Sequence, residues 1–416
     1  MSCYEIEGGR PLEGRLTVQG AKNSVLPILA AALLAPGESV IHNCPHLSDV
    51  ETTLDILRLL GCGVRREGHT VTVDARDLTG YRVPAQLTGE MRSSVIFLGA
   101  LLARQGKAKL SDPGGCRLGP RPIDLHVAAL EQMGAEILSC PEGVFCRGRL
   151  RGCRLRLPIP SVGATENILL AACGAEGETV LTGAAREPEI VDLQNFLRAM
   201  GADVSGAGTS VITVRGGKRL HGAEHTVMGD RICAATLLCA AGAVGGEVEL
   251  DGSAPQDLAA VLDCLSGAGC AIQTEGARIA LKSNGCLRGI PTVRTAPFPG
   301  FPTDAQAILM AALAGGRGST LFEENIFACR YHHVEPLRRM GAKIWVSGRN
   351  ALVSGAGRLR GAAVQGRDLR GTAALVVAGL AAEGTTKVSG LEYIQRGYEG
   401  LDRSLTHLGA QITVRP

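Results

Sequence analysis

Apolar positions along the chain fall into two alternating kinds of run. One kind is apolar all round, as in SVLPILAAALLA, NILLAACGAEG, AQAILMAALAGG and ALVVAGLAAEG. A helix with no polar face is buried on every side. The other kind spaces its apolar residues at helical intervals. Val50, Leu54, Leu57 and Leu60 do so, as do Ile190, Leu193, Leu197 and Met200, and Tyr398, Leu401, Leu405 and Leu408. That spacing predicts a helix with one apolar face, lying outside the first kind. Short strands follow both, such as SVIHN, TVLTG, STLFE and TKVSG after the buried helices, and AKIWVSG and AQITVRP after the outer ones.

The outer helices all end alike. Gly61, Gly134, Gly201, Gly269, Gly341 and Gly409 each stand between a helical pattern and a strand, 73, 67, 68, 72 and 68 residues apart. A glycine just past a helix end can take the left-handed conformation that stops it. A period this regular predicts six copies of one α/β unit. Chains beyond roughly 250–300 residues usually split their core. Three units and three is the natural division. A six-unit solenoid is the alternative, and the absence of polar capping copies at the ends argues against it.

Composition changes this picture little. Hydrophobic residues make up 45%, charged residues 20% and aromatics only 3%, so the cores are aliphatic. The 56 glycines, nearly twice the usual share of roughly 7%, fit many short elements joined by tight turns. With 43 Lys and Arg against 40 Asp and Glu, net +3, the chain is too balanced for a general nucleic-acid surface. Any anion site must be a local gathering of basic groups. The start, MSCYEIEGG, lacks a signal-peptide pattern. The longest apolar run, from Val25 to Pro36, is too short for the roughly 20 residues that span a bilayer. A cytoplasmic protein is expected. The 14 cysteines include no C-x-x-C pair, so no zinc site is expected, and reduced, mostly buried thiols are.

Polar residues recur at fixed places in the unit. Each buried helix opens on a polar group: Lys22-Asn23-Ser24, Arg92-Ser93, Thr165-Glu166-Asn167, Asp230-Arg231, Thr303-Asp304 and Arg370-Gly371-Thr372. Helix N-termini carry spare N–H groups and suit anions. The loops between strand and outer helix add Cys116, Arg117, Arg121, Arg186, Arg330 and Arg396. If all units point one way, these groups meet at one end of each half. Two such ends make a cationic cleft fit for carboxylate and phosphate. Cys116 lies in the Gly/Pro-rich SDPGGCRLGPRPID loop beside Arg117 and Arg121. Nearby cations favour thiolate, so Cys116 is the thiol expected to react.

Several segments together carry a specific resemblance: GAKNSVLPILAAALLA, PGGCRLGPRPIDLH, PSVGATENILLAA, AAREPEIVDLQNFLRAMGA, PGFPTDAQA, and DLRGTAALVVAGLAAEGTT with QRGYE. Over its whole length the chain resembles the UDP-N-acetylglucosamine 1-carboxyvinyltransferases, enolpyruvyl transferases that open peptidoglycan synthesis. The resemblance implies a two-domain inside-out α/β barrel, each domain three repeated units around buried central helices. It divides the chain into residues 22–229, with the Cys116 loop as lid, and 1–21 with 230–416, with the active site in the cleft between them. It implies phosphoenolpyruvate and UDP-N-acetylglucosamine as substrates, with no cofactor, metal or nucleic acid.

Carried over by position, Lys22 and Asn23 resemble the phosphoenolpyruvate-binding pair. Arg121, Arg330, Arg370 and Arg396 resemble the basic residues around its phosphate and carboxylate. Arg92, Arg121, Pro122, Ile123, Asp124, Leu125, Pro160, Ser161, Val162, Asp304 and Ile326 resemble UDP-sugar contacts. Asp304 is the implied general base. Cys116 is the implied proton donor and the implied target of a covalent phosphonate epoxide. Two departures stand out. Ile159 replaces a lysine of some members, and Gly229-Asp230-Arg231-Ile232-Cys233 departs from the commoner P-D-R-I-E. The implied reaction is addition then elimination at the sugar 3-hydroxyl, releasing phosphate. The alternatives are a 3-phosphoshikimate enolpyruvyl transferase and a catalytically silent UDP-sugar-binding paralogue.

Overall fold

The structure, a computed structural model, describes residues 2–111, 123–140 and 143–416. These form two compact units. Residues 20–111, 123–140 and 143–228 make an inner unit, and residues 2–19 with 229–416 make a split unit.

Each unit is three copies of one sheet around three central helices. In the inner unit the sheets are built on Glu38–His42, Lys107–Leu110 and Glu178–Thr182; in the split unit, on Gly246–Asp251, Ser319–Glu323 and Thr385–Ser389. All six sheets have four strands, one parallel pairing and two antiparallel ones. A separate two-stranded ladder joins Leu359–Arg360 to Ala382–Glu383.

The central helices of the inner unit are Lys22–Ala31, Phe97–Gln105 (led in by a 3₁₀ turn, Arg92–Ile96) and Val162–Cys173. Those of the split unit are Arg231–Val244, Thr303–Ala314 and Leu369–Ala381, and they pack on one another. Away from their polar ends these helices are apolar and buried all round, with the sheets outside. Each unit is thus an inside-out α/β body with its own aliphatic core.

The six repeat glycines all adopt positive φ, from 93° to 106°. Each closes its outer helix in the same way. The Gly61 N–H bonds the Arg58 carbonyl and the next N–H, of Cys62, bonds the Leu57 carbonyl, both at 3.0 Å. The same pair recurs at Gly134, Gly201, Gly269, Gly341 and Gly409. This double bond pattern satisfies helix-end carbonyls only if the glycine is left-handed.

Two expectations need correction. Thr165-Glu166-Asn167 does not open its helix. Ser161 caps it, its hydroxyl accepting the Ala164 N–H, so the helix starts at Val162 and Thr165, Glu166 and Asn167 lie buried a turn further in. The thiols are less uniformly buried than composition suggests. Of twelve free cysteines described, seven are buried, while Cys286 and Cys329 are exposed, because both sit in loops rather than elements. The Gly229 departure has a steric basis. A Cβ there would lie 2.0 Å from the Gly252 carbonyl oxygen. Asp230 then caps the Arg231 helix through the Ile232 and Cys233 N–H groups, and Cys233 is buried.

Candidate functional site

The central helices begin in two ways. Ser161, Asp230 and Asp368 cap theirs with a side chain. Ala21, Met91 and Pro302 offer no such cap to the turns that open with Lys22, Arg92 and Thr303. First-turn N–H groups without a side-chain partner are what an anion needs.

In the split unit, Asp304 stands in the first turn of the Thr303 helix between two arginines. Its Oδ1 accepts from Nη2 of Arg330 at 2.7 Å, and its Oδ2 accepts from Nε and Nη2 of Arg370 at 3.1 and 3.0 Å. Arg330 also donates to the Thr303 carbonyl at 3.1 Å. Both guanidiniums are almost wholly buried, whereas the Asp304 side chain is 29% exposed. Among the described residues, Arg330 Nε and Arg370 Nη1 are buried and meet no hydrogen-bond partner. Arg370 lies over the Tyr398 ring, 5.3 Å from its centre, and Tyr398 is fixed by Thr236 at 2.8 Å. Below Arg330, burial pushes His333 down to about 4. Arg396, half-buried, follows the short Leu391–Ile394 helix.

Ile326, on the exposed turn between Glu323 and Arg330, is held by a residue that the sequence reading did not single out. Glu324 is buried, and its Oε1 accepts the Ile326 and Phe327 N–H groups at 2.8 and 3.0 Å. Its Oε2 accepts the Thr303 hydroxyl at 2.9 Å. A signal was present. Thr320, Phe322 and Glu324 alternate inward along the strand and its extension.

In the inner unit, Lys22 Nζ meets Asp49 Oδ2 at 2.6 Å, both nearly buried, with Asn23 exposed beside it. The Lys22 helix packs on the 3₁₀ turn opened by Arg92. Ile123 precedes the Asp124–Gln132 helix, where Asp124 is exposed and Leu125 half-buried. Pro160 is exposed, Ser161 and Val162 half-buried, and Ile159 is 61% exposed. His126 joins these pieces. It is buried, bonds Asn167 of the Val162 helix at 3.0 Å, and lies 3.3 Å from where a Cβ on Gly163 would stand. Burial, then the Arg92 charge, push His126 down to about 4, against an opposing pull from Asp124. Arg92, Ile123–Leu125 and Ser161–Val162 are therefore brought together within one unit. Cys116, Arg121 and Pro122 lie outside the described residues.

The model of the family described as EPSP synthase (3-phosphoshikimate 1-carboxyvinyltransferase) matches residues 6–405. A UDP-N-acetylglucosamine 1-carboxyvinyltransferase from Nitratidesulfovibrio vulgaris is 49% identical over 416 residues, 99% of each chain. One from Caldanaerobacter subterraneus subsp. tengcongensis, numbered 2, is 47% identical over 413 residues, again 99% of each. The chain belongs to the enolpyruvyl transferase family. As a member of that family it is a transferase. Among solved structures, the enolpyruvyl transferase NikO from Streptomyces tendae matches at a TM-score of 0.88 and 27% identity, over 100% of this chain and 99% of its own. The EPSP synthase of Acinetobacter baumannii shares the family fold at a TM-score of 0.77 and 22% identity, over the whole of both chains.

Proposed function

We propose that the protein transfers the enolpyruvyl group of phosphoenolpyruvate to the 3-hydroxyl of UDP-N-acetylglucosamine, releasing phosphate. The observation that carries the reading is Asp304 held between two buried arginines at an uncapped helix start. A partly exposed carboxylate can take a proton from a hydroxyl, while fixed cations beside it stabilise the charge that develops. The names of relatives at 47–49% identity supply the acceptor.

In this reading Asp304 accepts the hydroxyl proton as the sugar oxygen attacks carbon 2 of phosphoenolpyruvate. Cys116 gives a proton to carbon 3, forming a tetrahedral intermediate. Loss of a proton from carbon 3 then expels phosphate and restores the double bond. Lys22, Asn23, Arg121, Arg330, Arg370 and Arg396 hold the phosphate and carboxylate. Arg92, Pro122, Ile123, Asp124, Leu125, Pro160, Ser161, Val162 and Ile326 hold the UDP-sugar. A phosphonate epoxide would alkylate Cys116. The reaction is the first committed step of peptidoglycan synthesis, serving cell-wall growth, shape and division, and its setting is the cytoplasm. Among the described residues no helix is long and apolar enough to cross a membrane.

Phosphate release measured with each acceptor tests the reading. Turnover is expected with the UDP-sugar; turnover with shikimate 3-phosphate alone would overturn it. Asp304→Asn should lower turnover about 100-fold or more with the circular dichroism unchanged. A variant that kept its rate would remove Asp304 from the mechanism.

A further inference from the structure

The two oxygens of Glu324 serve different sides of the split-unit site. Oε1 accepts both N–H groups of the Ile326–Phe327 turn. Oε2 accepts the hydroxyl of Thr303, the residue before Asp304. The same turn runs on to Arg330, which grips Asp304 and the Thr303 carbonyl. Hydrogen bonds linking Glu324 to Thr303, and Arg330 to Thr303 and Asp304, with the chain between residues 324 and 330, thus close a ring. Its partner in sequence, Glu323, faces outward to Arg294, so the ring is particular to Glu324.

The turn is braced on its far side as well. The Asn325 N–H bonds the Thr295 hydroxyl at 2.8 Å, the Asn325 amide bonds the Thr295 carbonyl at 3.1 Å, and the Glu324 N–H bonds the Arg349 carbonyl at 2.8 Å. Those bonds anchor the backbone of residues 324 and 325. None of them reaches the Thr303 helix. Among the described residues, the Glu324 side chain ties the turn to Thr303, the residue before the base, and Arg330 behind it reaches Asp304 itself. Carboxylate hydrogen bonds are stronger than neutral ones and fix direction as well as distance.

We propose that Glu324 is a positioning residue that sets the Ile326 turn in register with Asp304. It would thereby align the acceptor sugar with the base. The proposal rests on the reading of Asp304 and Ile326 given under Proposed function. It assigns Glu324 no contact with substrate and no proton.

Three variants test it, each by steady-state phosphate release with either substrate varied, alongside thermal melting. Glu324→Ala cuts both arms. It is expected to raise KM for the UDP-sugar about tenfold and lower kcat about tenfold, as loss of hydrogen bonds to a charged group implies. KM for phosphoenolpyruvate should stay within about threefold. Glu324→Gln keeps a carbonyl oxygen for the turn and an N–H that the Thr303 hydroxyl can accept, so it should restore most of both losses. Thr303→Val cuts the Oε2 arm alone and should lower kcat with little change in either KM; it also stands in should Glu324→Ala not fold. Equal rises in both KM values with a lowered melting temperature would mark a merely structural role and overturn the proposal. So would unchanged kinetics. Asp304→Asn serves as the control. Full turnover there sinks the reading of the base; loss there with intact kinetics in the Glu324 and Thr303 variants sinks this proposal alone.

Discussion

Asn167 Nδ2 lies 3.0 Å from His126 Nδ1, and the direction of the bond is fixed. Asn167 Oδ1 already accepts the Gly99 N–H at 2.7 Å, so its amide nitrogen faces the histidine as a donor. His126 Nδ1 must accept, which leaves its proton on Nε2. A second proton would set donor against donor, in a buried place with Arg92 nearby.

Acid should therefore weaken the fold through this pair. His126 holds about 4 in the folded chain against 6.5 as its ordinary value. Between those limits the unfolded chain binds more protons, so stability rises with pH there. The contribution is complete above about pH 6.5 and lost as pH falls through 4, on the order of 3 kcal/mol in all. Denaturant unfolding of the native chain and of His126→Gln across pH 4–7 checks this. The variant should show a shallower slope. Equal slopes would mean that the pair does not sense acid.

The Lys22–Asp49 contact makes a second test, because it joins binding to stability. Removing one member of a buried pair costs about 3–5 kcal/mol. Lys22→Met should raise KM for phosphoenolpyruvate and also lower the melting temperature. Adding Asp49→Asn should recover most of the stability and none of the binding. A double variant as unstable as the single one would show that the charge on Asp49 was not the cause.

The repeat glycines allow a test of the fold apart from the site. Gly341 has φ of 93° and open space where a Cβ would go. Gly341→Ala therefore meets no clash, only the unfavourable left-handed backbone. A loss of about 1–2 kcal/mol is expected, with turnover unchanged. A neutral substitution would mean that the helix end relaxes into another conformation.

Those glycines, and the four runs apolar all round, were the legible part of this chain. Both are local patterns, a period of about 70 residues and a helix without a polar face, and each has one structural solution. The polar residues were harder to read. Lys22, Arg92, Asp304 and Arg370 could be singled out because they interrupt helix starts that are otherwise apolar. Glu324, Asp49 and His126 could not, since each matters through partners distant in sequence. Asp49 reads as an ordinary first-turn acid and Glu324 as one of two adjacent glutamates. Burial of a charge is decided by what packs over it, and composition carries no trace of that. The opposite error occurred at Thr165-Glu166-Asn167, where polarity suggested a helix start and the hydroxyl of Ser161 had already supplied one.

The split unit carries a cost in time. Its strand Cys3–Glu7 pairs with Gln411–Arg415, Cys3 opposite Arg415. At about 5–20 residues per second, a ribosome needs some 20 seconds or more to make the roughly 400 residues between them. Throughout that interval the inner unit can complete all three of its sheets, while Tyr4 and Ile6 wait uncovered. The nascent chain thus presents one finished body beside a strand whose two pairing partners are among the last residues to be made.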